Sequence, residues 1–318
     1  MDFNFKTLAE FNDYFKDEET CYKFYESIRW GEVPICPHCG SAKKPYNVKP
    51  RGKFVIPSYR CSEKECSLPF TVRTGSIYEG SKVELRKWFQ AIYEITTSKK
   101  GISSVELSTR IGVSQKTAWF INHKIRTMLT DTNPTLLNGM VEADESYVGG
   151  KNKNRHKDKK VENSQGRSAK DKTPVVGLVE RGGRVVTFVT PNTESNVLHQ
   201  IIGNNVQHGS TVVTDAYRAY NGIGKAYNHI VVKHEEGSYI KIIGNTKFHT
   251  QNIENFWSQL KRGYVGIYHY MSAKHLHRYC DEFATRYNQR DTSNIARFLY
   301  VVKNSGIKKI TYAELTEE

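Results

Sequence analysis

Apolar residues recur along this chain in two periods, and the change between them divides it. Leu85, Trp88, Phe89, Ile92 and Ile95 repeat at three- and four-residue spacing, which predicts an amphipathic helix after Glu84. Residues 82–130 read as a helical region. Within them, one short helix ends at Gly112, a turn follows, and Ser114 can cap a second helix that carries Gln115, Lys116 and Thr117. Asn133-Pro134 marks a boundary, because proline disfavours helix in the residue before it. From Asn138 the runs are strand-like. Met140 to Val148 is the first, and residues 174–180 and 184–190 are two more, joined by Arg181-Gly182-Gly183 as a hairpin. A helix over 195–205, a fourth strand at Thr211-Val-Val-Thr-Asp, a fifth at His229-Ile-Val-Val-Lys, and helices over 249–262 and 272–290 complete the pattern. Three strands, a helix, two strands and then helices is the order of a ribonuclease-H-like α/β fold.

Four of the six cysteines are grouped, as Cys36-Pro-His-Cys39 and Cys61-Ser-Glu-Lys-Glu-Cys66, with 21 residues between the pairs. Two such knuckles suit a tetrahedral Zn²⁺ site of the ribbon kind, with Gly40 supplying a permissive backbone after the first. Four thiolates leave no open coordination position, so the zinc is structural. Strands are expected at Phe54 to Arg60 and at Pro69 to Thr74. His38 is a bystander, and Cys21 and Cys280 are core thiols. Nothing directs the chain to an oxidising compartment, which disfavours disulfides.

Charge adds a partner. Lys and Arg number 47 against 33 Asp and Glu, a net charge of +14 that favours a polyanion, with nucleic acid foremost. Helix, glycine turn and capped helix is also the helix-turn-helix arrangement, which with the charge favours Gln115, Lys116 and Thr117 as contacts to duplex DNA, although a small three-helix core unrelated to DNA would show much the same pattern. No apolar run approaches a membrane span and no secretory signal opens the sequence, so the expected location is the cytosol, beside the nucleoid.

Three acids stand out by joint placement. Asp144 lies in the first strand, Asp215 ends the fourth, and Glu254 sits in the helix over 249–262 with Lys261 seven residues later on the same face. In the fold proposed above, the first and fourth strands are central neighbours, and the later helix brings the third carboxylate across them. Converging carboxylates repel unless cations neutralise them, and Mg²⁺, a hard ion that accepts oxygen ligands and phosphate, suits the set. Two ions about 3.5–4 Å apart would serve the attacking and leaving oxygens of phosphoryl transfer. Glu142 shares the face of Asp144 and is a candidate partner behind it. Asp281 and Glu282 are rivals to Glu254 but have no base two turns later.

Several segments together resemble a known family, the insertion-sequence DDE transposases with an amino-terminal zinc ribbon (the ISXO-like group). They are Arg29-Trp30, Cys36-Pro-His-Cys-Gly, Thr71-Val-Arg-Thr-Gly-Ser, Ala143-Asp-Glu-Ser-Tyr-Val-Gly-Gly-Lys, Thr214-Asp-Ala-Tyr, Ile253-Glu-Asn-Phe-Trp-Ser-Gln-Leu-Lys-Arg-Gly, His275-Leu-His-Arg-Tyr and Arg286-Tyr-Asn. The resemblance implies strand transfer of a mobile element, with Asp144, Asp215 and Glu254 as ligands of Mg²⁺ or Mn²⁺ and Lys261 as the base accompanying the third acid. It also implies binding to the element's terminal inverted repeats and to target DNA, as a homodimer or larger synaptic assembly. Some members carry Asn as the third acid, which brings in Asn252 and Asn255. A DNA-binding regulator derived from a transposase, or a nuclease without joining activity, is the alternative. The expected organisation is a helical segment (1–30), zinc ribbon (31–75), helix-turn-helix region (76–133), catalytic domain (134–291) with a basic mobile loop (150–172), and a tail (292–318) with a closing helix and no assigned role.

Overall fold

The computed structural model describes residues 5–49, 56–131, 134–149, 156–162, 170–233, 239–307 and 310–317. The chain forms two compact units, residues 1–129 with 292–318, and residues 130–291.

The first unit opens with α1 (Leu8–Tyr14) and α2 (Glu18–Trp30), each started by a side chain, Thr7 or Asp17, that accepts a backbone N–H of the first turn. A three-stranded antiparallel sheet follows, β1 (Tyr46–Val48), β2 (Ser58–Arg60) and β3 (Pro69–Phe70), in that order. The strand expected from Phe54 is observed only as β2, and residues 54 and 55 lie outside the described residues. The strand expected from Pro69 to Thr74 stops at Phe70. Beyond it the chain turns, and Arg29 of α2 occupies the carbonyls that a neighbouring strand would otherwise use: its guanidinium donates to Val72, to Thr74 at 2.7 Å and to Gly75 at 3.3 Å. That contact links two segments that the sequence presents 43 residues apart.

Next come α3 (Leu85–Thr97), α4 (Ser104–Ile111) and α5 (Gln115–Met128). Gly112 closes α4 in the left-handed region, and Ser114 accepts the Thr117 N–H at the start of α5. The residues after Asp291 contribute α9 (Asn294–Lys303) and α10 (Tyr312–Thr316). Phe298 of α9 lies in the aromatic core with its ring centroid 5.5 Å from Phe11 and 5.6 Å from Phe89. The closing helix therefore completes the core of the amino-terminal helices.

The second unit is built on a five-stranded sheet. Its strands are β4 (Met140–Val148), β5 (Thr173–Glu180), β6 (Val185–Val189), β7 (Thr211–Thr214) and β8 (Asn228–Val231), ordered β6-β5-β4-β7-β8. The pairs on the β4–β5–β6 side are antiparallel, and β4–β7 and β7–β8 are parallel. α6 (Ser195–Asn205) packs on one face, over Val141, Ala143, Val176, Leu178 and Val212. α7 (Gln251–Gly263) and α8 (Leu276–Asn288) cover the other, over Val175, Val179 and Val185. Alternation along β4 thus places Glu142 and Asp144 on the α7 face, among apolar neighbours. A small hairpin that the period analysis did not foresee, β9 (Lys241–Ile243) with β10 (Thr246–Phe248), leads into α7. The helix expected over 272–290 begins as a single 3₁₀ turn, Ala273–His275, before α8. Of the basic segment 150–172, residues 150–155 and 163–169 lie outside the described residues, as does Asn133 of the expected boundary.

Candidate functional site

Two chemically distinct clusters emerge. The first is made of thiols. Cys36, Cys39, Cys61 and Cys66 bring their sulfurs within 4.8 Å of one another. The Cys36–Cys66 and Cys39–Cys61 sulfurs are 3.8 and 3.6 Å apart. Ligands about 2.3 Å from a tetrahedral zinc stand about 3.8 Å apart, so the cluster has the size of a zinc shell and all four donors are soft. Burial opposes ionisation of Cys36, but the N–H groups of Cys39 and His38 together with the Cys39 and Cys61 thiols outweigh it and bring the thiol down to about 7. His38 sits within hydrogen-bond distance of the Pro69 carbonyl, 3.2 Å away, a contact that occupies its Nε2. Cys21 and Cys280 are buried apart from the cluster, and burial pushes both thiols up.

The second cluster lies where β4, β7 and α7 meet. The parallel register pairs Glu142 with Val213. Asp144 stands two residues further along β4, whereas Asp215 follows Thr214, the last residue of β7, so the strand expected to end at Asp215 stops one residue earlier. Adjacent strands are about 4.8 Å apart, and the Asp215 charge reaches Asp144. Glu254 belongs to the first turn of α7, and Lys261, in its last turn, is exposed as Glu254 is. Burial, then the charges of Glu145, Asp215 and Glu254, raise the Asp144 carboxyl from 3.8 to about 7, against the pull of the Glu145 N–H. Asp144 thus feels both other acids, although the three do not close as tightly as the thiols: among the described residues the cysteines are the only metal-competent group within 4.8 Å. The donor set is nonetheless all carboxylate, which fits a hard divalent cation.

Each acid is held by a specific neighbour. Trp257 Nε1 donates to Asp144 Oδ2 at 3.1 Å. Asp215 Oδ1 accepts the Tyr217 N–H at 2.9 Å, and Thr250 Oγ1 donates to Glu254 Oε1 at 2.7 Å. Behind Asp144, Glu142 is wholly buried. Its carboxylate accepts the backbone N–H of Asn252 at 2.9 Å and of Ile253 at 3.2 Å, the Asn252 side-chain amide at 2.7 Å and Arg181 at 3.0 Å. A strand carboxylate thereby caps α7, whose own preceding residue, Thr250, makes no side-chain cap. The Asn252 amide, one alternative for the third acid, is engaged in this cap. The rivals to Glu254 are also taken. Asp281 accepts the Thr130 hydroxyl at 2.8 Å, and the buried Glu282 pairs with Arg286 at 2.6 Å and accepts from Tyr268. Glu145 points to the opposite face and accepts the Tyr220 hydroxyl at 2.9 Å. Reasoning from sequence did not find Trp257, Arg181 or the capping role of Glu142. The alternation that placed Glu142 beside Asp144 was the available signal.

On α5, Gln115 and Lys116 are exposed and Thr117 is half-buried. Gln115 Nε2 donates to Ser104 at 2.8 Å, and Thr117 shares a 2.9 Å hydroxyl contact with Ser114. Lys116 Nζ lies 4.5 Å from the centre of the Tyr312 ring of α10. Among the described residues no helix is long and apolar enough to cross a membrane.

Comparison with known proteins gives concordant matches. The ISXO2-like transposase domain matches residues 136–288, and the transposase zinc-ribbon domain matches residues 16–68. An uncharacterized protein in transposable element ISH50 of Halobacterium salinarum is 31% identical over 259 residues, spanning 78% of this chain and 83% of that one. An uncharacterized transposase-like protein of Haemophilus influenzae is 30% identical over 129 residues, 38% of this chain and 96% of that one. A Mos1 transposase paired-end complex with the left transposon end has 10% identity and a TM-score of 0.22, covering 65% of this chain and 75% of that one, too low a likeness to carry weight.

Proposed function

The chain belongs to the ISXO2-like transposase family, and from that premise we propose that it is a DDE recombinase that cuts and joins DNA at the ends of an insertion sequence. Residues 130–291 are read as a ribonuclease-H-like catalytic domain in which Asp144, Asp215 and Glu254 hold Mg²⁺ or Mn²⁺, as two ions. The observation that carries the reading is that Asp215, just beyond the end of β7, and Glu254 of α7 both bear on the largely buried carboxyl of Asp144 on the neighbouring strand β4. Bound divalent cations would neutralise the carboxylates and stabilise charge building on a phosphodiester. The side chains do the rest by positioning. The carboxylates fix where a scissile phosphate sits, and Lys261, two turns beyond Glu254 on one helix, contacts a phosphate beside it. Water attack would free a 3′-hydroxyl, and that hydroxyl would attack target DNA at the same centre, with no covalent enzyme intermediate.

The zinc ribbon and the α4–α5 pair, as a helix-turn-helix with Gln115, Lys116 and Thr117 toward DNA, would hold the terminal repeats, in a dimer or larger synaptic assembly. The net charge of +14 supports a duplex partner. In the test, Asp144→Asn loses Mg²⁺-dependent cleavage of an element end while a gel shift on the same DNA persists. Wild-type cleavage by that variant would sink the site assignment. Wild-type protein that shifts DNA but never cuts it would favour a regulator, and products that stop at nicked ends would favour a nuclease.

A further inference from the structure

We propose that Trp257 is a positioning residue for the centre read above, that it orients the Asp144 carboxylate, and that Gly177 is the gap in the sheet that lets it do so. The inference rests on the catalytic reading of Asp144.

The indole N–H is a donor with no acceptor function, and a buried one requires a partner. Trp257 is 3% exposed, and its Nε1 meets Asp144 Oδ2 at 3.1 Å. Gly177 is the β5 residue directly opposite Asp144 in the β4–β5 ladder. A Cβ there would stand 2.6 and 2.9 Å from two carbons of the Trp257 ring and 2.7 Å from Ile253 Cδ1. Both neighbours are buried parts of α7 rather than flexible tips, so any side chain at 177 must displace the ring or lift the helix. The indole occupies the place a β5 side chain would fill, and from there its edge reaches the acid on the next strand.

Glu142, two residues before Asp144 on the same face of β4, supplies the other anchor by accepting the N–H groups of Asn252 and Ile253. Consecutive face-sharing acids of one strand thus grip α7 at its start and at Trp257. Glu254 lies between the two grips. Its distance from Asp144 is therefore set by two hydrogen-bonded contacts and one missing side chain, in addition to its own bond from Thr250. An indole bond to one carboxylate oxygen also fixes which oxygen is turned toward the neighbouring acids, as partners behind metal ligands do.

The test uses the full-length protein with its zinc retained. Trp257→Phe keeps an aromatic ring and removes the donor, and Trp257→3-benzothienylalanine keeps the bicyclic shape and replaces only the N–H. Calorimetric Mn²⁺ titration, the Mg²⁺ midpoint of cleavage, a gel shift and thermal unfolding are measured on each. The expected result is a metal midpoint raised about 10- to 100-fold in both variants, cleavage rate recovering at saturating metal, and DNA binding unchanged. The benzothienyl variant should also unfold at the wild-type temperature. Gly177→Ala shifts the midpoint in the same direction by displacing the ring. A wild-type Mn²⁺ midpoint in the benzothienyl variant overturns the proposal even if Trp257→Phe fails to fold. Asp144→Asn separates the two readings. If it binds Mn²⁺ as wild type does, the catalytic centre is misassigned. If it loses Mn²⁺ while the Trp257 variants keep it, only the positioning role fails.

Discussion

Replacing Asp144 with Asn should stabilise the Mg²⁺-free protein above neutral pH, even as it removes activity. In the folded chain, burial and then the charges of Glu145, Asp215 and Glu254 lift this carboxyl from 3.8 to about 7. A carboxyl whose folded value exceeds its unfolded one favours the fold while protonated. That contribution is complete below about pH 4, declines as pH rises, and is gone above about 7. At pH 8 the native state carries an anion in a poor environment, a penalty of at most about 4 kcal/mol at about 1.4 kcal/mol per pH unit of displacement. Asn has the same outline and no charge, and its carbonyl can still accept the Trp257 N–H. Asp144 retains some solvent contact, so the realised gain should be smaller, about 1–3 kcal/mol. For a unit of residues 130–291 that corresponds to a rise of roughly 3–10 °C in its melting temperature. The assay is thermal unfolding in Mg²⁺-free buffer without chelator, at pH 5 and pH 8, with and without added Mg²⁺. The gain should shrink at pH 5, and added Mg²⁺ should stabilise wild type but not the variant. A variant melting at or below wild type at pH 8, or a difference that does not depend on pH, would refute the electrostatic account of the cluster.

Two further outcomes test the amino-terminal unit. Cys61→Ser removes a ligand, and chelation removes the metal, from a shell whose four sulfurs lie within 4.8 Å of one another. Either should unfold the ribbon and weaken DNA binding, leaving the unfolding transition of residues 130–291 in place; zinc content by atomic absorption that never reaches one per chain would sink the assignment. Lys116→Ala should weaken binding to element ends about equally across sequences and lower the salt slope by about 1. An unchanged slope would mean that α5 does not face phosphate.

Local signals carried much of the architecture. The ends of α6 and β4 follow from their periods and turn residues, and Ser114 with Gly112 marks the junction of α4 and α5 because capping and left-handed backbone are local chemistry. The local reading failed in two ways, through a distant partner and through elements too short to show a period. The strand expected past Phe70 gives way to a turn because Arg29 takes its carbonyls. The hairpin of β9 and β10 escaped because its strands are only three residues each, too short for a period to register.

By itself the sequence determined the four-thiol spacing, the strand that carries Asp144, the helix that carries Glu254, the base two turns beyond it, and the excess of positive charge. These are properties of neighbouring residues and need no knowledge of what packs where. Only the tertiary structure decided that Glu142 caps a helix 110 residues away, and that Trp257 reaches Asp144 across 113 residues through the space at Gly177. It also decided that Phe298, near the end of the chain, completes the core of the first helices. Such contacts leave no periodic trace, because each depends on two remote segments meeting after the chain has paid the entropy of closing a long loop. A tryptophan, a glycine and a buried glutamate look like ordinary core residues until the fold brings them to the same carboxylate.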